Sequence, residues 1–495
     1  MLEVISILLA LLIGFLLVQV FDPSRDMQPR WAAMLLNAAL GAGIGIGLTS
    51  IVFLLLDVAG LASPLAIFGI DIALAAGLAW QCFRLRTFSA QRFNPDPDSA
   101  NRGFRWTWLL AIAFGVVLVI ACVRLVQMAT ALPVGNWDAW AIWNLRAKFL
   151  AGPGGAWRYA LSPLLNNSHP DYPPLLPAFV ARVWKAAGSM DTLAPILTAS
   201  VFFAALIALL VSAVALLRGT ASALLAGLVI LSTTSLLVWA PSQYADIPLA
   251  FYYLGAIALI FFRADSRALF FAGLCAGLAA WTKNEGIAFL VCFLIVFFAF
   301  TFWKRRTANA TTSGGWLLIG AAPGIILTMW FKFFLAPVVD PLVTQRASML
   351  GRLHDVSRYT EVARGFFDNL LHLGSGVAHP LVLLAVLGIL VRWQVEERYR
   401  LPLWIATTAL VLVFLSYCAV YLMTPYALAW QVQSSFDRLI LQVWPGFLLV
   451  FFVFLRSVVD PTPAVTEKIA AARKSPARSP KTASSSKNPA AQKVK

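Results

Sequence analysis

Five short polar segments interrupt an otherwise apolar sequence, and they hold the side chains able to do chemistry. The first reads GNWDAWAIWNLRAKFL, with Asp138 set among aromatic residues directly after an apolar run. A carboxylate at such a boundary is costly unless it is hydrated or paired. It serves either as a helix N-cap, a position Asp favours, or as a general base whose ionisation is tuned by its surroundings. Trp137, Trp140 and Trp143 recur every three residues, which predicts one side of a short helix. Tryptophans at a membrane boundary are expected as interfacial anchors.

The second segment, HPDYPPLLP, places His169 and Asp171 just before two prolines. Consecutive prolines bar regular helix and stiffen the chain. The segment is either a rigid re-entry turn or a mount that holds His169 and Asp171 at a fixed place. His169 has no second histidine at ligand spacing, so it is not a metal signature. The third, QYADIPLAF, starts an apolar run at Asp246, where the helix N-terminus favours an acid. Tyr244 beside it either stacks on a sugar or caps the turn. In the fourth, WTKNEG, Lys283 and Glu285 either neutralise each other or leave a cation poised for a phosphate. The fifth, TPYALAWQVQSSFDRL, brings Asp437 and Arg438 into the last apolar run. They form a helix-boundary ion pair, or Arg438 binds phosphate through its two-pronged guanidinium.

The elements that must position these residues follow from composition. Sixty per cent of the residues are hydrophobic and 12% charged, more apolar surface than a soluble core of this length can hide. Continuous apolar runs of about 20 residues fit helices crossing a bilayer, not alternating barrel strands. Thirteen such helices are expected, near 2–20, 31–56, 62–82, 107–131, 192–217, 222–240, 248–262, 268–283, 286–303, 314–335, 377–392, 401–422 and 439–455. The expected fold is therefore all-α and polytopic, with short helices in the loops of one face.

Arg84, Arg86, Arg92, Arg102 and Arg105, then Lys304 to Arg306, then Arg392, Arg398 and Arg400, and finally the tail all fall on one side of that count. The positive-inside rule makes this side cytoplasmic, with the C-terminus inside. The segments 131–191 and 336–376 then lie outside. All four histidines, His169, His354, His372 and His379, fall on or near that face.

The net charge of +16 does not indicate nucleic acid, because of where it sits. The tail 457–495 holds eight Lys/Arg against two acids in a Pro/Ala/Ser/Lys stretch that reads as disordered. The expected use of such charge is to set topology, with contact to anionic membrane lipid second. Cys82, Cys122, Cys275, Cys292 and Cys418 all fall in or at the ends of apolar runs and read as small core residues. Run 2–20 lacks a basic leader and is expected as a retained helix. Asp71, inside the third run, is expected to serve packing.

The motifs WDAW, HPDYPPLLP, QYADIPLAF, WTKNEG and TPYALAWQVQSSFDRL, in this order and each at an outer helix end, resemble the GT-C membrane glycosyltransferases. The similarity is to the protein O-mannosyltransferase, aminoarabinose transferase and lipopolysaccharide-core transferase branch, over about 105–456. The resemblance implies a catalytic domain there, with 1–104 as accessory helices and 457–495 as a basic cytoplasmic tail. It implies transfer of a sugar from a polyprenyl-phosphate donor to a glycan, lipid or protein acceptor on the outer face of a bacterial inner membrane, with inversion. Asp138 falls on the family's catalytic acid and Asp246 on its second acid.

The residue types then suggest His169, Asp171, Asp246 and Tyr244 for positioning an acceptor or a metal, and Lys283 and Arg438 for the donor phosphate. No cofactor is specified, although paired acids could hold a divalent cation. Relatives of the mannosyltransferase branch have Glu after the catalytic Asp, where this chain has Ala139, and often His where it has Gln431. Both departures bear on the acceptor and on any metal. A transporter or lipid flippase is the competing expectation, one that would call for inverted repeats and interrupted helices.

Overall fold

A computed structural model describes residues 1–25, 27–85, 87, 104–262, 265–304, 308–339, 344–375 and 378–458. Arg86, Arg92, Arg102, Arg305, Arg306 and the tail from 459 lie outside the described residues. The larger helices, in chain order, are α1 (Leu2–Phe21), α2 (Arg30–Val58), α3 (Pro64–Arg84), α4 (Phe104–Ala131), α5 (Asn144–Ala151) and α6 (Leu175–Ala187). They continue as α7 (Leu193–Arg218), α8 (Thr220–Leu231), α9 (Thr234–Trp239), α10 (Asp246–Ile260), α11 (Ser266–Thr282), α12 (Asn284–Lys304) and α13 (Ala308–Trp330). The last are α14 (Arg346–Gly351), α15 (Val356–Leu371), α16 (Pro380–Leu390), α17 (Glu397–Met423) and α18 (Leu428–Phe454).

No strand occurs among the described residues, only one bridge between Trp393 and Leu455. Nine of the described helices are long and apolar enough to cross a membrane, and α8, α10, α11 and α16 are shorter apolar helices. By length and composition the chain is a multi-pass helical membrane protein.

Most boundaries shift by a few residues, and two differences are larger. The run 222–240 is broken after Leu231 into α8 and α9. The Thr233 hydroxyl at the break donates to the Val229 carbonyl (3.2 Å) and accepts from the Trp444 indole (3.0 Å). The last helix starts at Leu428 instead of 439, because the polar stretch AWQVQSSFDR is itself helical. Its buried side is apolar (Leu428, Val432, Phe436), but the polar residues between them break the continuous apolar run by which the start was placed.

Small residues let backbones approach where side chains would not fit. An added Cβ on Gly273 of α11 would lie 1.9 Å from the Leu317 carbonyl oxygen of α13, and one on Gly320 would lie 1.8 Å from that of Phe270. This close crossing, of the kind small residues permit between membrane helices, fixes the helix that leads into Lys283.

The first three helices join the same core. Tyr252 of α10 donates its hydroxyl to the Gly43 carbonyl of α2 at 2.8 Å. Asp71 of α3 forms a buried ion pair with Arg182 of α6, which also donates to Ser6 of α1. Lys185 of α6 pairs with Asp57 of α2 at 2.9 Å. Three helices before the first polar segment thus grip the helix that follows HPDYPP.

Candidate functional site

The segment after α4 sets Asp138 in place. Gly135 turns the chain at φ 73°, and an added Cβ there would lie 2.5 Å from Ala139 Cβ and 2.7 Å from the Ser242 carbonyl oxygen. The Asn136 N–H donates to that same carbonyl at 3.2 Å. Gln243 donates to the Pro133 carbonyl at 3.1 Å and accepts from Asn144 at 2.9 Å. The loops after α4 and after α9 are therefore laced together.

Asp138 precedes a π-helical turn, Ala139–Trp143, yet its side chain caps nothing. Its Oδ2 instead accepts from Arg438 Nη1 at 2.5 Å. The Asp138 N–H donates to the Tyr244 hydroxyl at 3.1 Å.

The three tryptophans do not share a side. Trp137 and Trp140 are half exposed with ring centroids 5.9 Å apart, while Trp143 is buried and stacks on Tyr172. A π turn bonds i to i+5, so it is wider than an α turn and spacing by three no longer tracks one face.

Arg438 lies inside α18, ten residues past its start, so it is not a boundary residue. Its side chain pairs with Asp138 and stands 3.8 Å from Asp246. The expected Asp437 partner faces elsewhere and accepts the Trp239 indole N–H at 2.5 Å. The guanidinium carbon lies 4.9 Å from the Tyr244 ring centroid and 5.5 Å from that of Trp239, a cation–π cradle. Tyr244 also stacks on Trp239 at 5.3 Å. Its ring is buried between them, so Tyr244 holds the turn and offers no free face to a sugar. Burial pushes its hydroxyl up to about 12.

Asp246 opens α10 and is 1% exposed, so its charge has to be met by protein. It accepts from Gln442 at 2.6 Å and from Lys283 at 3.4 Å. Lys283 sits in extended backbone (φ −162°, ψ 163°) between α11 and α12 and also pairs with Glu285 at 2.7 Å. Burial opposes its charge, but Asp246 and Glu285 outweigh burial and raise its pKa, so the ammonium stays protonated. Mutual neutralisation with Glu285 is therefore only half of its environment.

His169 and Asp171 join through the other side of Lys283. His169 takes a left-handed conformation (φ 46°, ψ 62°), and its ring stacks on Tyr172 at 4.5 Å. Burial lowers its pKa, so the imidazole is neutral. The Lys283 ammonium lies 5.8 Å from the Tyr172 ring centroid. Asp171 accepts from Asn284 at 2.8 Å and pairs with Lys332 at 3.3 Å. Arg146, lowered to about 10 by burial, fixes this turn by donating to the Tyr172 carbonyl at 2.7 Å.

Asp138, Tyr244, Asp246, Lys283 and Arg438 thus form one linked cluster, and Tyr172 ties His169 and Asp171 to its edge. Gln442, Asn284, Lys332, Trp239 and Arg146 complete the arrangement without having stood out in the sequence. Gln442 carried a usable signal: it follows Arg438 by four residues, hence on the same helix face. The others read as ordinary loop or boundary residues.

The cluster offers a partly exposed carboxylate beside a guanidinium, backed by a buried ammonium. That combination can accept a proton at Asp138 and stabilise an anion at Arg438 and Lys283. Among the described residues no group of three or more His, Cys, Asp or Glu side chains could hold a metal ion. The two acids suited to a divalent cation share Arg438 between them, so the donor set does not fit a cation as it stands.

Comparison with protein-family models, with characterised proteins and with solved structures finds no match to this chain. Its class thus rests on the helices themselves: a multi-pass membrane protein with a charged cluster gathered from well-separated segments.

Proposed function

We propose that the chain is an integral membrane glycosyltransferase. It moves a sugar from a polyprenyl-phosphate donor to a hydroxyl or amine of a glycan, lipid or protein acceptor, inverting the anomeric carbon. The observation that carries this is the Asp138–Arg438–Asp246–Lys283 chain of ion pairs. Unlike the more deeply buried Asp71–Arg182 pair, this chain of charges ends on a partly exposed carboxylate at Asp138, which supports a functional reading.

Asp138 is the general base. In the free protein it is held by Arg438. A donor phosphate competes for the guanidinium and for Lys283, which releases Asp138 to take the acceptor's proton. The acceptor oxygen or nitrogen then attacks the anomeric carbon, and the bond to the lipid phosphate breaks. The departing phosphate keeps the bonding electrons and is already a good leaving group, so it calls for charge stabilisation more than for an acid. Asp246 and Gln442 keep the cations aimed.

The site faces the exterior of a bacterial inner membrane. In support, nine described helices are long and apolar enough to cross a membrane, and on the expected count of thirteen crossings the cluster residues fall on the side opposite the basic loops. The N-terminus then lies outside and the C-terminus inside. The contacts Arg218–Glu396 and Ser457–Arg218 carbonyl gather at the other, basic end.

The test is transfer from a labelled polyprenyl-phosphate sugar by purified protein and by Asp138→Asn. Transfer by the wild type that Asp138→Asn abolishes is expected. Unchanged transfer by the variant would overturn the base assignment. Absence of transfer from every donor, with solute or lipid transport in vesicles, would replace the proposal with a transporter.

A further inference from the structure

α15 and α16 are broken from each other beside the break between α8 and α9. α15 ends at Leu371 and α16 begins at Pro380, and the Thr234 N–H at the start of α9 donates to the Leu373 carbonyl at 2.8 Å. α8 and α16 both have their other ends at the basic end, where Arg218 before α8 donates to the Gln394 carbonyl beyond α16. With 12 and 11 residues they reach about 16–18 Å from that end to their breaks. This is about half of a 30 Å hydrocarbon core.

α15 supplies the other half. Its first turn is strapped to the far end of α17, where Arg358 donates to the Leu422, Tyr421 and Thr424 carbonyls at 2.7, 3.0 and 3.1 Å. Further down, an added Cβ on Gly365 would collide with Val432 of α18, and Phe366 meets Phe414 and Phe436. With 16 and 11 residues, α15 and α16 together match the 27 of α17. They make one interrupted helix, although the segment 336–376 is expected to lie wholly outside.

The broken ends are met by histidines. His372 Nδ1 donates to the Asp368 carbonyl at 2.6 Å. His379 Nε2 donates to the Leu371 carbonyl at 3.2 Å, while its Nδ1 accepts from the Leu381 N–H at 3.2 Å, so one imidazole joins both half-helices. α15 has three sides. Val362 and Gly365 are buried against protein, whereas Phe367 and Leu371 are exposed and apolar. Glu361, Arg364, Asp368 and His372 recur at steps of three and four, on a side of their own. Arg364, Asp368 and His372 are exposed, and neither Arg364 nor Asp368 forms an ion pair among the described residues. Asp368 sits one turn above the break. Charge at such depth is costly against hydrocarbon. Irregular backbone at such depth occurs inside protein or beside water.

We propose that the polar side of α15 lines a water-filled inlet, open at the end opposite the basic loops and closed at the break, half-way through the membrane. It admits water and small hydrophilic solutes, and the histidine-bridged break is its floor. α9 leads from that floor to Trp239, whose ring lies 5.5 Å from the Arg438 guanidinium carbon, so the inlet runs beside the Asp138 cluster. The inlet stands whether or not that cluster transfers a sugar.

The test is modification of introduced cysteines by a charged, membrane-impermeant methanethiosulfonate, with the full chain in right-side-out and in inside-out vesicles. Peptide mass reads each position separately from the five native cysteines. From the side opposite the basic loops, Arg364→Cys and Asp368→Cys are expected to react about tenfold faster than Phe367→Cys and Leu371→Cys, because the attacking thiolate forms in water and not in lipid. From the basic side all four are expected to react slowly.

Equal rates at the four positions would put water on every side of α15 and overturn the proposal. Slow reaction at both Arg364→Cys and Asp368→Cys would mean that lipid or protein covers the polar side, and would overturn it too. Equally fast reaction from the basic side would remove the floor and make the inlet a path across the membrane, as a transporter requires.

Discussion

Arg438 Nη1 stands 2.5 Å from Asp138 Oδ2 although 300 residues separate them in the chain. The pair holds the last helix to the first polar segment, and it places the proposed base against the proposed phosphate ligand. Each then controls the other. Asp138→Asn is expected to cut transfer about a hundredfold or more, the range for a lost general base. Arg438→Lys keeps the charge but not the planar guanidinium, whose Nη1 stands between Asp138 and Asp246 while its plane rests on Tyr244 and Trp239, so it is expected to lower transfer about tenfold. If the two act as one unit, the double variant loses no more than Asp138→Asn alone. Steady-state transfer by the three variants decides this, and simple multiplication of the two losses would separate their roles.

Gly135 is the backbone counterpart of that pair. Its φ of 73° and the 2.7 Å approach of the Ser242 carbonyl oxygen leave no place for a Cβ. Gly135→Ala is expected to destabilise by about 1–3 kcal/mol and to lower transfer by moving Asp138. Thermal unfolding and transfer measured together check it. A variant with normal melting and normal transfer would show that the lacing of the two loops is dispensable.

The fold was more legible than the site. Long apolar runs must be helices in a bilayer, and their positions follow from composition alone. Asp138, Asp246, Lys283 and Arg438 stood out because charge is rare in such a chain. Their partners did not. Gln442 and Trp239 act by facing a charge across the bundle, and nothing local marks that. Leu428, Val432 and Phe436 recur every four residues, but the polar residues between them interrupt the apolar run, so the sequence starts the last helix near 439 and leaves Arg438 at its boundary. In the structure that stretch is helix, burying Leu428, Val432 and Phe436 and bringing Arg438 to Asp138.

His169 supplies the pH dependence. Burial, foremost, lowers its folded-state pKa, while Asp171, Lys283, Glu285 and Asp138 act on it in opposing directions. The unfolded imidazole titrates near about 6.5, so below that pH the unfolded chain binds a proton that the folded one refuses. The contribution is fully present above about pH 6.5 and is lost as pH falls through that value, by up to about 1.4 kcal/mol per pH unit. His169→Gln is expected to flatten this part of the stability profile. Unfolding temperatures of both proteins from pH 7.5 down to 5 test it, and parallel profiles would refute it.

Asp71 and Arg182 tie the first three helices to the helix that follows HPDYPP. Both side chains are buried, at 4% and 1% exposure, and their ion pair joins α3 to α6. The chain leaves Asp171 through two prolines straight into α6, so a shift of α6 displaces Asp171 and with it the Lys332 and Asn284 contacts. Removing one partner of a buried pair strands the other, at a cost of about 3–5 kcal/mol. Arg182→Met and Asp71→Leu are each expected to lower the unfolding temperature and transfer together. The double variant has no stranded charge, and burial of two apolar side chains is expected to return most of the stability. If it does, recovery of transfer in parallel means that the helices act through the position of α6, not through the ion pair's charge. Stability regained without transfer would instead give the ion pair an electrostatic part in the site.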